Sequence, residues 1–272
     1  MNPTRDTLLD DLRALGVRPG DLLMIHGSVR ALGLAHSQGV ERGAERMLSA
    51  LTEAVGGTGT LLMILGSEYA FDWVNQRPVA ERAGLLAGTP PFRHQDASVL
   101  TEVGFLAEAF RTWPGVALSA NPSGRFASWG ARAAELLHGQ PWHDYYGPGS
   151  PLEKLCAWGG RILRLGASFD TTTVLHYAEY VAKLPNKRRT RWDYLLDTPA
   201  GPKHTWIECL DDSEGIAHWE GEDYFAVILK AYLAENRHRA GRVGAAASEL
   251  LDANDLLDFA ARWMEENLRT AP

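Results

Sequence analysis

His176 and Glu179 stand three residues apart in the stretch Gly159 to Tyr180, GGRILRLGASFDTTTVLHYAEY. On a helix that spacing sets an imidazole beside a carboxylate. The carboxylate stabilises the imidazolium formed when the ring takes up a proton, so the pair suits general-base chemistry near neutral pH. The same pair on a solvated helix face would be an ordinary weak ion pair. Position separates the two readings. Arg161 to Leu165 reads as a short buried strand, Gly166 to Asp170 as a turn, and Thr171 to Thr173 as hydroxyl caps for a helix running to about Lys183. Val174, Leu175, Ala178, Val181 and Ala182 fall on one side of that helix, and Thr173, His176, Glu179 and Lys183 on the other. The reactive side therefore begins beyond the carboxyl end of a strand, where open α/β sheets gather their reaction sites.

A second candidate follows the apolar strand Leu22 to Ile25, in HGSVRALG from His26 to Gly33. Ser28, Val29 and Arg30 offer a hydroxyl, free backbone amides and a fixed cation to an anion, or simply carry the chain out of the strand. Gly57 and Gly59 precede the strand Thr60 to Leu65 instead of opening a helix, so a dinucleotide-binding reading fails on context. Gly66 to Pro91 is long and irregular, with Glu68, Asp72 and several aromatics just past a strand end. Carboxylates among aromatics suit a polycationic ligand with an apolar face, and also suit an exposed loop. LDDSEG, Leu210 to Gly215, adds Asp212 and Glu214 as substrate contacts or as a turn. His143 and Asp144 lack further ligands at metal spacing, so no metal is expected.

The elements that must hold these residues follow from periodicity. Thr7 to Leu15 forms an amphipathic helix closed by Gly16, Gly43 to Val55 a second, and Leu100 to Arg111 a third. Ser150, Pro151 and Glu153 make a capping box at the start of a short helix. Beyond the basic cluster at Lys187 to Arg189 come two polar strand-like segments, then closing helices at Asp223 to Glu235 and Ala253 to Leu268. With 272 residues, 45% of them apolar, and no linker composition, the chain is expected to form one domain over its whole length. The net charge of −7 argues against nucleic acid and anionic membrane as partners and is compatible with a cationic small molecule. Cys156 and Cys209 lack disulfide or zinc spacing and read as buried thiols. The absence of a long apolar run and of a signal core at the N-terminus points to the cytoplasm. Nothing in the residues selects between a monomer and a homodimer.

Taken in order, several blocks resemble the aminoglycoside 3-N-acetyltransferases of the type unrelated to GNAT enzymes. They are LGVRPGD with LLMIHGSVRALG, GGTGTLLM, VGFLAEAFRTWPG with ALSANPSGRFASWG, GPGSPLEKL, GGRILRLGASFDTTTVLHYAEYVAKLPNKRR and GRVGAAASELLDANDLLDF. The resemblance runs from about Leu12 to the C-terminus. It implies a single-domain mixed α/β fold with a central, largely parallel sheet flanked by helices. It also implies acetyl transfer from acetyl-CoA to the 3-amino group of 2-deoxystreptamine antibiotics, and hence antibiotic resistance. His176 matches the family's active-site histidine and Glu179 its neighbouring carboxylate. The expected mechanism is direct transfer with His176 as general base, Glu179 supporting the imidazolium and Thr173 donating to the oxyanion. Ser28, Val29 and Arg30 match the positions expected to hold coenzyme A, and Glu68, Asp72, Asp212 and Glu214 are the carboxylates expected to select the substrate. The chain departs from the family where H-P-x-x-S is usual, carrying Asn121, Pro122, Ser123, Gly124 and Arg125 instead. A cation at Arg125 would repel a polycationic antibiotic or meet a coenzyme phosphate. Two alternatives stand beside the antibiotic reading: an acyltransferase acting on another amine, and a coenzyme-binding homologue without catalysis.

Overall fold

The computed structural model describes residues 3–35, 39–66, 69–99 and 103–269. In chain order the elements are α1 (Arg5–Leu15), β1 (Leu22–Gly27), α2 (Val40–Val55), β2 (Thr60–Gly66), α3 (Asp72–Asn75), α4 (Val79–Leu86), α5 (Phe105–Arg111), β3 (Ala117–Leu118), β4 (Arg125–Gly130) and α6 (Ala133–Leu137). There follow α7 (Pro151–Ala157), β5 (Arg161–Leu165), α8 (Val174–Val181), β6 (Arg189–Leu196), β7 (Lys203–Leu210), α9 (Tyr224–Ala234), β8 (Arg239–Val243), β9 (Ala246–Asp252) and α10 (Ala253–Asn267).

One sheet runs β3-β4-β2-β1-β5-β9-β8 and organises the molecule. Parallel pairing lies at its centre, where β1 joins β2 on one side and β5 on the other. Both margins, β4 with β3 and β9 with β8, are antiparallel. The central strands are apolar on both faces because both are covered. Leu23 and Ile25 of β1 pack with Leu61, Met63, Leu163 and Leu165 under α1, α2 and α5. Met24 points the other way and packs with Leu62 and Ile162 under α7, α8, α9 and α10. β6 and β7 form a separate hairpin that adds Tyr194, Ile207 and Cys209 to this second core.

Local signals set the ends of several elements. Gly16 closes α1 in the left-handed region at φ 112°, donating its N–H to the carbonyls of Leu12 and Arg13. At α7 the Ser150 hydroxyl accepts from the Glu153 N–H at 3.3 Å, and Pro151 follows the cap. The return arm of the box lands one residue early: Glu153 Oε2 accepts from the Gly149 N–H at 2.6 Å. Its other oxygen accepts from the Tyr177 hydroxyl at 3.0 Å, which ties α7 to α8.

Three expectations need correction. The stretch from Gly66 to Pro91 is not an irregular loop. It contains α3 and α4, pinned to the hairpin where Asn75 exchanges hydrogen bonds with the backbone of Asp193 at 2.7 and 3.0 Å. β4 emerges from a segment read only as a family block, and β8 and β9 from one read the same way. Finally, α8 starts at Val174, so Thr171 to Thr173 do not cap it with their hydroxyls; Thr173 is at the cap position with helical backbone and no side-chain cap bond. The helix stops at Val181, where Ala182 turns extended shortly before Pro185. No helix among the described residues is long and apolar enough to cross a membrane.

Candidate active site

β5 and the turn after it deliver α8 to the carboxyl end of the sheet, and α8 sets His176 one turn before Glu179. His176 Nδ1 lies 3.0 Å from Glu179 Oε2. Glu179 is an acceptor there, so the bond assigns the ring proton to Nδ1 and leaves the Nε2 lone pair unprotonated. Glu179 is 1% exposed, and its second oxygen accepts from the Tyr224 hydroxyl at the start of α9. Tyr146 stacks on the imidazole at 4.9 Å and 14°, and Phe225 meets it edge-on at 4.7 Å. These two rings fix the plane of the imidazole while Glu179 fixes its rotation. The structure brings Tyr224, Tyr146 and Phe225 to the pair; in sequence, Tyr224 and Phe225 lie beyond the hairpin, with no spacing to announce them.

The electrostatics follow from burial and from who pairs with whom. Burial opposes charging of His176, but the Glu179 hydrogen bond and charge, with Asp212 and Asp223 further off, outweigh it and raise the ring's proton affinity above its usual value. Burial raises the Glu179 carboxyl too, held back by its bonds to His176 and Tyr224. No arginine or lysine touches Glu179 through a described hydrogen bond or ion pair. Asp212 is likewise pushed up by burial, moderated by His176 and by the hydroxyl of Tyr145, which donates to it.

The pair opens on a cleft of about 1340 Å³. Ser28, Val29 and Arg30 form one part of its lining, and Thr173 and His176 another. The space thus joins the loops after β1 and β5, at the carboxyl ends of adjacent parallel strands. Ser28 Oγ accepts from the Ala31 N–H at 3.2 Å, closing a turn, and Arg30 is exposed. Val29 is buried. The set resembles an anion-binding turn beside a base.

The expected substrate carboxylates are distributed differently. Asp72 heads α3 and Glu214 is exposed in the turn after β7; neither lines the cleft, and nor does Asp212, although its charge reaches His176. Glu68 lies outside the described residues. Among the described residues, the carboxylates that do line the cleft are Glu108, Asp170 and Asp223, of which Glu108 is paired with Arg111 at 2.6 Å. Asp223 also caps α9, accepting from the Phe225 N–H at 2.7 Å.

The departures from the family pattern are accounted for by the fold. Asn121 Oδ1 accepts from the backbone N–H groups of Ser123 and Gly124 at 3.0 Å, and its amide donates to the carbonyl of Trp142 at 2.9 Å. Arg125 is 1% exposed and donates to the carbonyls of Ser98 and Ala97 at 2.9 and 2.5 Å. Its charge is turned inward and braces the chain leading to Val99 in the cleft wall. Arg125 does not itself line the cleft, although its charge reaches Glu108 there. His143 and Asp144 are also engaged, with the Glu208 N–H at 3.0 Å and with Arg189 at 2.9 Å respectively.

Comparison with known proteins identifies the family. The family model described as Aminoglycoside 3-N-acetyltransferase matches residues 24–265. The chain is 38% identical over 263 residues to aminoglycoside N(3)-acetyltransferase III of Pseudomonas aeruginosa, covering 96% of this chain and 93% of the relative. Among solved structures, AAC-IIIb in its binary complex with CoASH superposes with a TM-score of 0.87 at 36% identity, over 99% of this chain and 98% of the other. AAC-VIa bound to sisomicin gives a TM-score of 0.87 at 34% identity, over 98% and 99%. Matched in sequence and fold along nearly its whole length, the chain belongs to the aminoglycoside 3-N-acetyltransferase family.

Proposed function

We propose that the protein transfers an acetyl group from acetyl-CoA to the 3-amino group of 2-deoxystreptamine aminoglycosides, and so confers resistance to them. The observation that carries this reading is the Tyr224–Glu179–His176 chain opening on the same cleft as the Ser28–Arg30 turn. An ammonium group is no nucleophile, so transfer needs a base, and His176 Nε2 has the free lone pair for it. The ammonium first gives up one proton to solvent, and His176 takes a second from the resulting amine as the nitrogen attacks the thioester carbonyl. The new C–N bond forms, the C–S bond breaks, and the imidazolium returns its proton to the departing thiolate. Glu179 stabilises the imidazolium in between, while Tyr224 keeps the carboxylate oriented. Thr173, whose hydroxyl makes no cap bond, is available to donate to the carbonyl oxygen as it becomes negative.

The acetyl donor's phosphates are assigned to the Ser28–Arg30 turn, where the Ser28 hydroxyl and one exposed guanidinium suit an anion. Substrate ammonium groups are assigned to Asp170 and Asp223 in the cleft, with Asp212 acting through the field at His176. Asp72 and Glu214 contribute only if the substrate extends beyond the cleft. That arrangement favours a second reading, acyl transfer to a smaller, non-antibiotic amine. The deciding experiment follows thiol release from acetyl-CoA with deoxystreptamine antibiotics and with simple amines. Turnover with several of the antibiotics, and product acetylated at the 3-amino nitrogen, is the expected result. Turnover confined to simple amines selects the second reading, and no turnover with any amine, while coenzyme A binds, would defeat both.

A further inference from the structure

Tyr146 stacks on the imidazole of His176, and the segment that carries it is clamped from two sides. The Asp144 N–H donates to the Glu208 carbonyl of β7 at 2.9 Å, and Asp144 Oδ1 accepts from the Tyr180 hydroxyl of α8 at 3.0 Å. The Gly147 N–H closes back on the Asp144 carbonyl at 2.7 Å. A Cβ at Gly147 would lie 2.8 Å from the Tyr180 ring, so the glycine lets this turn sit flush on α8. Within the clamp, Tyr145 donates its hydroxyl to Asp212 and packs edge-on against Tyr146 at 4.5 Å and 74°. Phe126 of β4 meets Tyr146 edge-on at 5.8 Å. The Tyr146 ring is thereby held parallel to the imidazole by contacts on both sides of it.

Packing accounts for the ring and leaves the hydroxyl unexplained. Tyr146 is 6% exposed and lines the cleft. Its hydroxyl bonds to no described residue, yet it is not one of the sealed polar atoms of the interior. The oxygen therefore keeps open surface, and the space this residue borders is the cleft. Burial first, and then the Asp212 charge, hold the phenol well above its usual value, so it stays protonated. A protonated phenol donates a hydrogen bond. Of the groups that meet at His176, an ammonium repels such a donor, and the lone pair of the free amine is committed to the thioester carbon. The carbonyl oxygen alone gains negative charge as the C–N bond forms, and a donor aimed at it gains strength in the transition state.

We propose that the Tyr146 hydroxyl is a catalytic hydrogen-bond donor, which with Thr173 stabilises the thioester carbonyl oxygen as it becomes negative. The proposal rests on the acyl-transfer reading above. The phenol keeps its own proton throughout. Its bond strengthens as the amine adds to the carbonyl and relaxes when the C–S bond breaks and the C=O bond re-forms, while the amine proton still passes through His176 to the thiolate. One side chain thus orients the base with its ring and steadies, with its hydroxyl, the charge that the attack creates.

Tyr146→Phe tests this, because it keeps the ring with its contacts to His176, Tyr145 and Phe126 and removes the hydroxyl alone. The full chain, wild type and variant, is followed through single-turnover acetyl transfer at saturating acetyl-CoA and deoxystreptamine antibiotic. The KM for the amine, CoASH binding by calorimetry and the unfolding temperature are measured beside it. The expected result is transfer slower by about 10-fold to 100-fold, with amine KM and CoASH affinity within about 2-fold of wild type. The unfolding temperature should equal or exceed that of wild type, since no bond within the protein is lost. Transfer within about 2-fold of wild type overturns the proposal. Slower transfer accompanied by weaker CoASH binding or a lower unfolding temperature also overturns it and makes the hydroxyl structural. A loss confined to the amine KM overturns it in favour of a contact with the acceptor. Wild-type protein that binds CoASH but acetylates no amine defeats the acyl-transfer reading itself.

Discussion

Two buried carboxylates in this molecule each hold a histidine, and they do opposite things with it. Glu179 meets His176 at 3.0 Å and is otherwise bonded to the Tyr224 hydroxyl. Asp193, in the middle of β6, meets His204 at 2.9 Å but is also gripped by Arg191 at 2.9 Å and Arg82 at 3.1 Å. Both carboxylates are 1% exposed. Burial works to raise Asp193 as it does Glu179, yet the bonds from Arg191, His204 and Arg82 prevail and hold it below the usual carboxylate value. Two guanidinium groups share the compensation of Asp193 with His204. Among the described residues no guanidinium or ammonium group bonds Glu179 directly, although the Lys187 charge reaches it, so the proton on His176 is its main bonded compensation. The difference teaches that a histidine–carboxylate distance says little about function; what matters is how many fixed cations the carboxylate already has.

The comparison can be broken most sharply at the two histidines. His176→Ala should lower kcat by about 100-fold to 10,000-fold, the usual worth of a general base, with circular dichroism unchanged. His204→Ala should leave kcat within about 2-fold, since exposed charge contacts of this kind contribute little. Equal losses in the two variants would erase the distinction.

Removing the carboxylates sharpens it. Asp193→Asn leaves Arg82 and Arg191 facing a neutral amide and should cost about 3 kcal/mol in denaturant unfolding, with kcat of the folded fraction nearly intact. The Asp193 contribution to stability has a defined pH window as well. Because its folded value is depressed, that contribution is complete above the unfolded value of 3.8 and drains away as pH falls through the lower folded one. Tyr224→Phe deprives buried Glu179 of one donor. It should cost about 1 to 3 kcal/mol of stability and about 10-fold in kcat, by loosening the carboxylate that orients the base. Arg125→Met should be smaller in catalysis than any of these, raising KM by a few-fold through the chain segment at Ala97 and Ser98 that leads into the cleft wall.

Much of the site was legible in the sequence because it is local. The apolar run of β5, the turn, and the H-x-x-E spacing on α8 lie within a single stretch, and the loop after β1 follows an equally plain strand. Tyr224 and Asp223 were not legible: the β6–β7 hairpin separates them from Glu179, and only tertiary packing brings α9 across. The charges of Asp72 and Glu214 suggested substrate contact, but charge alone does not say which way a loop faces. α3 and α4 are short, and Pro78 interrupts their pattern, so a pair of real helices looked like a loop. β8 is an edge strand with four of its five residues exposed, which removes the apolar alternation that would have marked it. Arg125 read as a cation near a cleft because burial of its side chain depends on backbone carbonyls that no motif encodes.

The central claim is that Glu179 tunes His176 as the base. Its most direct test is the pH dependence of kcat/KM for the amine, in wild type and in Glu179→Gln. In wild type, activity should rise with pH through an ionisation above the usual imidazole value of 6.5, since only the neutral ring accepts a proton. Glu179→Gln removes the charge that favours the imidazolium, so that inflection should move to lower pH while the plateau rate falls. An acid limb unchanged by the substitution would contradict the account, because it would mean that the group being titrated does not feel Glu179.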